Sequence, residues 1–204
     1  MPKSFDPTSM PSTDNTVLII DNYDSFTHNL AALVEEAASA PCRVMRAGEG
    51  LQHITDSWAA VIFGPGPSTP AAHPDLMACL RALPTTTPAL GVCLGMQAFA
   101  EIHGGSLALL DRPRHGKLRV MQEVAPSRAF DWPACPFPVG SYHSWVVDQV
   151  PHGWNRIAAD EEGYTMAMEH ADHPWVGVQF HPESVMTPAG LDMMTQFLKQ
   201  ADHE

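Results

Sequence analysis

Basic residues are scarce in this sequence of 204 residues. Its 11 Lys and Arg stand against 23 Asp and Glu, which gives a formal net charge of −12 with His neutral. A protein that wraps DNA or RNA needs an excess of positive charge to meet the phosphates, so we expect no nucleic-acid partner. Hydrophobic residues make up 45% of the chain, enough to bury the core of one ordinary domain.

Long apolar runs and an export signal are lacking too. No segment reaches the roughly 18–20 apolar residues that a membrane-spanning helix needs. Residues 1–16 are rich in Pro, Ser, Thr and Asp and carry no hydrophobic segment of a signal peptide. We therefore expect a disordered extension over 1–16, one domain over 17–204, a cytoplasmic location and no membrane partner.

Cysteines are few, and the histidines lack metal-binding spacing. The four cysteines, Cys42, Cys79, Cys93 and Cys135, lie far apart without a Cys-x-x-Cys pair. This pattern argues against a disulfide framework and against a cysteine-ligated zinc. The 11 histidines contain neither His-Glu-x-x-His nor zinc-finger spacing, so no metal is predicted in this chain.

Apolar runs and amphipathic segments alternate in the first half of the chain. Apolar runs predict strands at 17–20, 43–45, 59–63 and 88–92, and helical spacing predicts helices at about 26–37, 74–83 and 94–103. This alternation is typical of an α/β fold with a central, largely parallel sheet that is flanked by helices.

The second half has strand-like segments separated by turn residues and prolines. We expect strands at 106–110, 117–124 and 139–147, a closing hairpin of 166–168 with 175–180, and a final amphipathic helix at about 190–200. The predicted α/β fold therefore carries additional antiparallel strands in its second half.

The most informative segment is Gly91–Gly95, a Gly-x-Cys-x-Gly pattern between a predicted buried strand and a predicted helix. It is the cysteine counterpart of the Gly-x-Ser-x-Gly nucleophile elbow. The two glycines let strand and helix approach closely, and a helix N-terminus favours a thiolate and an oxyanion. Cys93 is therefore a candidate nucleophile; the alternative is a small buried cysteine without chemistry.

A cysteine nucleophile needs a base, and His181 directly follows the last predicted strand region. Pro182 disfavours a helical conformation at His181, and in an extended chain Glu183 points to the same side as His181. The carboxylate can then orient the imidazole. Cys93, His181 and Glu183 form a candidate triad, although a His-Pro-Glu tripeptide alone would be a weak signal.

The Gly-rich turn Gly64–Pro67 follows another predicted strand. Pro65 has no N–H, so Gly64 and Gly66 hold the donors available there. Beside the Leu94 N–H, this turn can supply a second oxyanion donor; the alternative is an ordinary turn.

Gln97 lies four residues beyond Cys93, one helical turn along the same face. Its amide is placed to recognise a polar substrate. The alternative is a glutamine that only faces solvent.

Together these motifs resemble those of the class I, triad-type glutamine amidotransferases, and within them the small subunits of anthranilate synthase and aminodeoxychorismate synthase. The resemblance covers residues 17–198. Its markers are Asp21–Thr27, Gly64–Pro67, Gly91–Gln97, His115–Lys117, Tyr142–Ser144 and Gly177–Ser184. In this order they are highly specific.

The resemblance implies that Cys93 attacks the side-chain amide of L-glutamine and that His181, oriented by Glu183, transfers protons. Glutamate and ammonia would result. The residues implied to contact glutamine are Gly64, Pro65, Gly66, Leu94, Gln97, Ser144 and Trp145. Among these, the Gly66 and Leu94 N–H groups would hold the oxyanion.

The resemblance also implies a partner. Family members pass ammonia through a protected route to a larger, chorismate-binding synthase subunit (component I), which uses magnesium; this chain itself would need no cofactor. The product would be anthranilate for tryptophan, 4-amino-4-deoxychorismate for folate, or both. Ser141 and Trp145 depart from the Arg and Leu that are usual in the family. The alternative function is that of a stand-alone thiol hydrolase acting on γ-glutamyl compounds.

Overall fold

The computed structural model describes residues 16–38 and 41–201. The extension expected over 1–16 lies outside the described residues except for Thr16. The Thr16 carbonyl accepts a hydrogen bond from the Ala59 N–H (3.1 Å). Thr16 is therefore tied to the start of the neighbouring strand.

A mixed sheet forms the centre of the fold. Its strands are β1 (Val17–Asp21), β2 (Cys42–Arg46), β3 (Ala60–Phe63), β4 (Ala89–Val92), β5 (Ser106–Glu123), β6 (Phe137–Gln149), β7 (Trp154–Asp160), β8 (Thr165–His170) and β9 (Trp175–Val178). They lie in the order β2-β1-β3-β4-β9-β8-β7-β5-β6. The pairings from β2 to β9 are parallel and the rest are antiparallel. The predicted α/β class, with antiparallel strands added in the second half, is confirmed.

Helices cover both faces of the parallel part. In the described residues they are α1 (Thr27–Ala38), α2 (Ala47–Gly50), α3 (Pro74–Ala82), α4 (Leu94–Ile102) and α5 (Gly190–Ala201). Side chains alternate along β1, so Ile19 packs in the core under α1 and α5 while Leu18 and Ile20 pack under α3 and α4. None of these helices is long and apolar enough to cross a lipid bilayer.

Strand β5 is longer than predicted, because the two segments expected at 106–110 and 117–124 are one strand of 18 residues. Pro113 and Gly116 suggested a break between them. Antiparallel pairing with β6 instead continues through two register shifts, between Leu109 and Arg114 and between His115 and Lys117. These irregularities accommodate the turn residues without ending the strand.

Three elements were not predicted: β7, α2 and a 3₁₀ helix of three residues at Pro70–Ala72. Strand β7 has the Ala-containing sequence Trp-Asn-Arg-Ile-Ala-Ala-Asp, which has little intrinsic β preference, and it forms because β8 and β5 pair with it on both sides. The four-residue helix α2 follows β2 directly and is too short to show a periodic pattern.

The parallel strands bring the candidate site together. Since β1, β3, β4 and β9 run in one direction, their carboxyl ends meet at one edge of the sheet. The segments that follow these strands start at Asn22, Gly64, Cys93 and Gln179. Residues far apart in the sequence therefore converge at this edge.

Candidate active site

Cys93 lies on a sharp turn between β4 and α4. Its backbone has φ 53° and ψ −99°, a conformation that residues other than glycine rarely adopt. The Cys93 N–H donates to the Val178 carbonyl (2.8 Å), which anchors the turn to β9. Cys93 is 6% exposed and precedes the first turn of α4, whose N–H groups have no acceptors within the helix. This is the strained elbow that the sequence pattern predicts.

The two glycines of the elbow are required by close packing. A Cβ on Gly91 would lie 2.6 Å from the Gly95 carbonyl carbon. A Cβ on Gly95 would overlap the Phe63 carbonyl oxygen on β3. Only hydrogen at these positions lets α4 begin directly against the strands, as expected from the Gly-x-Cys-x-Gly pattern.

His181 and Glu183 contact each other in the segment after β9. The Glu183 Oε1 lies 2.7 Å from the His181 Nδ1, and both side chains are buried. The His181 backbone is held on both sides, since its N–H donates to the Gly140 carbonyl (3.0 Å) and its carbonyl accepts from the Thr187 hydroxyl (2.7 Å). A carboxylate at Nδ1 fixes the proton there and directs Nε2 away from Glu183.

The charge state of His181 is set by its two neighbours. Burial alone lowers the pKa of the imidazole, but interactions with the Cys93 sulfur and the Glu183 carboxylate raise that pKa well above 6.5. The His181 Nε2 has no hydrogen-bond partner of good geometry among the described residues, so the Cys93 interaction is looser than a formed bond. Free active sites commonly hold such contacts loosely and tighten them around substrate.

Two aromatic rings pack around the imidazole of His181, the candidate base. The ring centroids of Phe26 and Tyr142 lie 5.2 Å and 5.0 Å from that of His181, both with edge-to-face geometry, and 4.7 Å from each other. The Tyr142 hydroxyl is 3.0 Å from the Ser184 hydroxyl. These contacts fix the plane of the imidazole and reduce the access of water to it.

The Gly-rich turn after β3 offers one amide donor to the site. The Gly64 N–H is already donated to the Ile20 carbonyl (3.0 Å), and the Gly64 carbonyl accepts from the Asn22 side chain (3.0 Å). No acceptor among the described residues takes the Gly66 N–H. Gly66 packs so closely on Leu94 that a Cβ would overlap the leucine side chain. The Gly66 backbone therefore packs directly against the Leu94 side chain.

A cavity of about 180 Å³ opens beside Cys93. It is smaller than the pockets of about 300–1,000 Å³ that take drug-sized ligands, so it suits one small metabolite. Its lining residues are Gly66, Pro67, Ser68, Cys93, Gln97, His115, Tyr142, His143, Ser144 and Trp145. Of the predicted site residues, Gly66, Cys93, Gln97, Ser144 and Trp145 line this cavity, whereas Gly64, Pro65, Leu94, His181 and Glu183 do not.

Gln97 is buried, contrary to the alternative of a solvent-facing glutamine. Its Nε2 donates to the Trp145 carbonyl (2.9 Å) and lies 3.2 Å from the Gln179 Oε1. The residue is 2% exposed. Gln97 therefore joins α4 to the β6 segment that carries Ser144.

His143 is a wall residue that sequence reasoning did not single out. Its Nδ1 donates to the Trp145 carbonyl (3.0 Å), and its Nε2 has no partner among the described residues. Burial is the largest cause that lowers the pKa of His143, to about 4, and the nearby Arg114 charge adds to it. His143 is therefore neutral near pH 7. Its place in the Tyr-His-Ser marker was the signal available in the sequence.

Within the described ranges, no group of three or more His, Cys, Asp or Glu side chains is arranged to hold a metal ion. His170 and His173, two histidines three residues apart in one turn, stack on each other with ring centroids 4.2 Å apart. The His170 Nδ1 accepts the backbone N–H groups of Asp172 and His173, both at 3.0 Å. The His170 Nδ1 is therefore already occupied by hydrogen bonds within its own turn.

A strained cysteine elbow, a buried His–Glu pair and a small cavity lie together at the carboxyl edge of the α/β sheet, an arrangement that suits nucleophilic thiol chemistry. Residues 18–201 match the family "Glutamine amidotransferase class-I". The chain belongs to this family, so the resemblance drawn from its motifs is confirmed.

Two named relatives are similar to most of the chain. It is 38% identical over 190 residues to the anthranilate synthase component II of Haloarcula marismortui, a match that covers 89% of this chain and 96% of that protein. It is 36% identical over 183 residues to the aminodeoxychorismate synthase of Streptomyces griseus, covering 88% of this chain and 25% of that longer protein.

Solved structures share the fold. A Thermoplasma acidophilum protein described as one subunit of a GMP synthase superimposes with a TM-score of 0.82 at 18% identity, over 92% of this chain and 94% of that one. A Thermotoga maritima glutamine amidotransferase gives a TM-score of 0.72 at 15% identity, over 93% and 98% of the two chains.

Proposed function

We propose that the chain hydrolyses L-glutamine with Cys93, His181 and Glu183 and delivers the ammonia to a separate chorismate-aminating synthase subunit. The observation that carries this proposal is the strained Cys93 elbow beside the buried His181–Glu183 pair. Membership of the class I glutamine amidotransferases supports the side-chain amide of glutamine as the bond that is cleaved.

In the first step the Cys93 sulfur attacks the side-chain carbonyl carbon of glutamine. The amide carbonyl becomes an oxyanion, which the Gly66 and Leu94 N–H groups would stabilise because neither has an acceptor of its own among the described residues. His181 holds a proton because its pKa is raised, and it gives that proton to the departing ammonia. A glutamyl thioester of Cys93 remains.

In the second step the now neutral His181 takes a proton from water, and the hydroxide attacks the thioester carbonyl carbon. The carbon–sulfur bond breaks, and glutamate leaves. Glu183 stabilises the imidazolium in both steps without giving up its own charge. Glutamine itself would be held in the cavity by Gln97 and the Ser144–Trp145 segment.

The partner assignment rests on the relatives. The Haloarcula protein is named component II, which implies a component I. In the Streptomyces protein the matching region is a quarter of a longer chain. We propose that the ammonia released at Cys93 passes to a component I that binds chorismate and needs magnesium, yielding anthranilate or 4-amino-4-deoxychorismate.

The test combines the purified chain with the anthranilate synthase component I, or the aminodeoxychorismate synthase subunit, of its own organism. Chorismate, magnesium and either glutamine or ammonium chloride are added, and the aromatic amine is measured. We expect Cys93→Ala to abolish product from glutamine and to leave product from ammonium chloride unchanged. Cys135→Ala, at an exposed cysteine, is the matched control and should retain both.

Product from glutamine with the Cys93→Ala chain would refute the nucleophile. A chain that supports neither synthase but cleaves γ-glutamyl peptides by itself would establish the stand-alone hydrolase instead. Which synthase accepts ammonia from the chain decides between the two products.

A further inference from the structure

Gln179 is a buried polar side chain beside the nucleophile, and neither step of the proposed hydrolysis uses it. It follows β9 directly and is 0% exposed. Its backbone N–H donates to the Met166 carbonyl (2.8 Å). Its Nε2 lies 3.6 Å from the Cys93 Sγ. The amide is therefore held rigidly against the reacting sulfur.

The orientation of this amide follows from its neighbours. The Trp145 carbonyl oxygen only accepts hydrogen bonds, so the Gln97 atom 2.9 Å away must be the donor Nε2. The same Nε2 lies 3.2 Å from the Gln179 amide, whose facing atom must then be the acceptor Oε1. The donor Nε2 of Gln179 is left to face the Cys93 sulfur. A flipped Gln179 would set two NH₂ groups against each other.

We propose that Gln179 donates a hydrogen bond to the Cys93 thiolate and holds the sulfur in place for attack. This inference rests on the proposed function, in which Cys93 is the nucleophile. An ionised sulfur accepts a hydrogen bond far better than a neutral thiol, so the Gln179 N–H favours the reactive form. Gln179 is thus a positioning residue for the thiolate, and Gln97 fixes its direction.

The same donor acts again when the thioester is hydrolysed. Hydroxide adds to the carbonyl carbon, the carbon–sulfur bond breaks, and the electron pair leaves with the Cys93 sulfur. As the negative charge returns to the Cys93 sulfur, the Gln179 side-chain N–H donates a hydrogen bond to it. The hydrogen bond is therefore strongest in the states before attack and after departure, when the sulfur is charged.

One short segment supplies the groups around the sulfur. Gln179 and His181 lie two residues apart directly after β9, and Glu183 lies in the turn that follows, which the Ser184 N–H closes by donating to the His181 carbonyl (3.2 Å). Phe180, between Gln179 and His181, is fully buried in the core beneath α5. Packing of Phe180 therefore helps to fix its two neighbours in the chain, Gln179 and His181.

The test measures the rate of Cys93 alkylation by iodoacetamide against pH in the full chain. Peptide mass spectrometry separates Cys93 from the other three cysteines. Gln179→Met keeps the length of the side chain and removes the donor. We expect it to move the pH midpoint of alkylation upward by about one pH unit, as loss of one charge-assisted hydrogen bond predicts. The plateau rate at high pH should stay near the wild-type value.

The plateau separates positioning of the thiolate from a merely structural role. If Gln179 only fills space, its loss changes the access of iodoacetamide and hence the plateau, but the midpoint stays in place. Gln122→Met, at an exposed position of β5, is the matched control and should keep the wild-type midpoint. A wild-type midpoint in Gln179→Met would overturn the inference.

Thermal unfolding checks that the variant is folded. If Gln179→Met does not fold, the pH midpoint of Cys93 alkylation is measured in Gln179→Leu, which also lacks the donor, and the same upward shift is expected. In the complex with the synthase subunit, Gln179→Met should lower kcat with glutamine by about tenfold and leave the ammonium-dependent rate unchanged. If the proposed function fails, Cys93→Ala retains glutamine use; if only this inference fails, Cys93→Ala is inactive and Gln179→Met titrates like wild type.

Discussion

The Glu183 carboxylate lies 2.7 Å from the His181 Nδ1, and the two side chains are 0% and 2% exposed. At this burial, water does not solvate the charge of the Glu183 carboxylate. This charge therefore acts almost wholly on the imidazole, where it helps to raise the pKa.

We predict that Glu183→Ala lowers glutamine-dependent product formation less than His181→Ala does. In the proposed mechanism His181 transfers protons, so its removal should cost about 10²–10⁴ in rate, whereas Glu183 only orients and stabilises the imidazolium. Removing Glu183 should also lower the pKa of His181, so the proton leaves at lower pH. Steady-state rates and a histidine NMR titration measure both effects. Equal losses of activity would contradict this division of roles.

The elbow glycine Gly95 gives a prediction about stability. Gly95→Ala would place a methyl group on the Phe63 carbonyl oxygen, which neither the strand nor the helix can relieve. We expect the free energy of unfolding to fall by about 3 kcal/mol, measured by urea denaturation. In Gly48→Ala the new Cβ meets only the flexible end of the Asp75 side chain at 3.0 Å. An equal effect in both variants would count against the steric argument.

His143 predicts a pH dependence of stability. Its pKa is about 4 in the folded chain, whereas an imidazole without these neighbours, as in the unfolded chain, has a pKa of 6.5. Between these values the unfolded chain binds a proton that the folded chain rejects, so the free energy of unfolding falls as pH drops from 6.5 to 4. Integrated over this range, the loss is on the order of 3 kcal/mol.

The variant His143→Asn should remove this loss, because Asn keeps a donor near the Trp145 carbonyl but does not titrate. Urea unfolding of the wild type and the variant at several pH values measures this loss of the free energy of unfolding. The stability advantage of the wild type should shrink as pH falls from 6.5 to 4. A constant difference across that range would show that His143 takes up its proton equally well in the folded chain.

A buried ion pair beside β5 gives the last prediction. The Arg114 Nη1 lies 2.5 Å from the Asp160 Oδ2, with side chains 8% and 0% exposed. Arg114→Met leaves that buried carboxylate with Arg119 as its remaining cationic partner, and we expect a loss of about 3 kcal/mol in urea unfolding. Arg112→Met, two residues away and exposed, should change stability by less than about 0.5 kcal/mol. Similar effects would refute the role of burial.

Local patterns in the sequence determined much of this protein. The alternating runs predicted most helices and strands of the parallel half. The Gly-x-Cys-x-Gly pattern predicted the turn at Cys93, since a sharp elbow needs residues without a Cβ on both sides. The His-Pro-Glu segment predicted that Glu183 reaches His181, and the two side chains are in contact, although the chain between them forms a turn and is not extended as expected.

Only the tertiary structure decided what these groups meet. The bonds from Gln97 to Trp145 and from Gln179 to Cys93 join residues 48 and 86 positions apart, so no local pattern contains them. The same holds for β7, which exists through pairing on both sides, and for the burial that makes His143 neutral. Sequence periodicity reports which way a side chain points, whereas its partner and its solvent access depend on strands that meet only after folding.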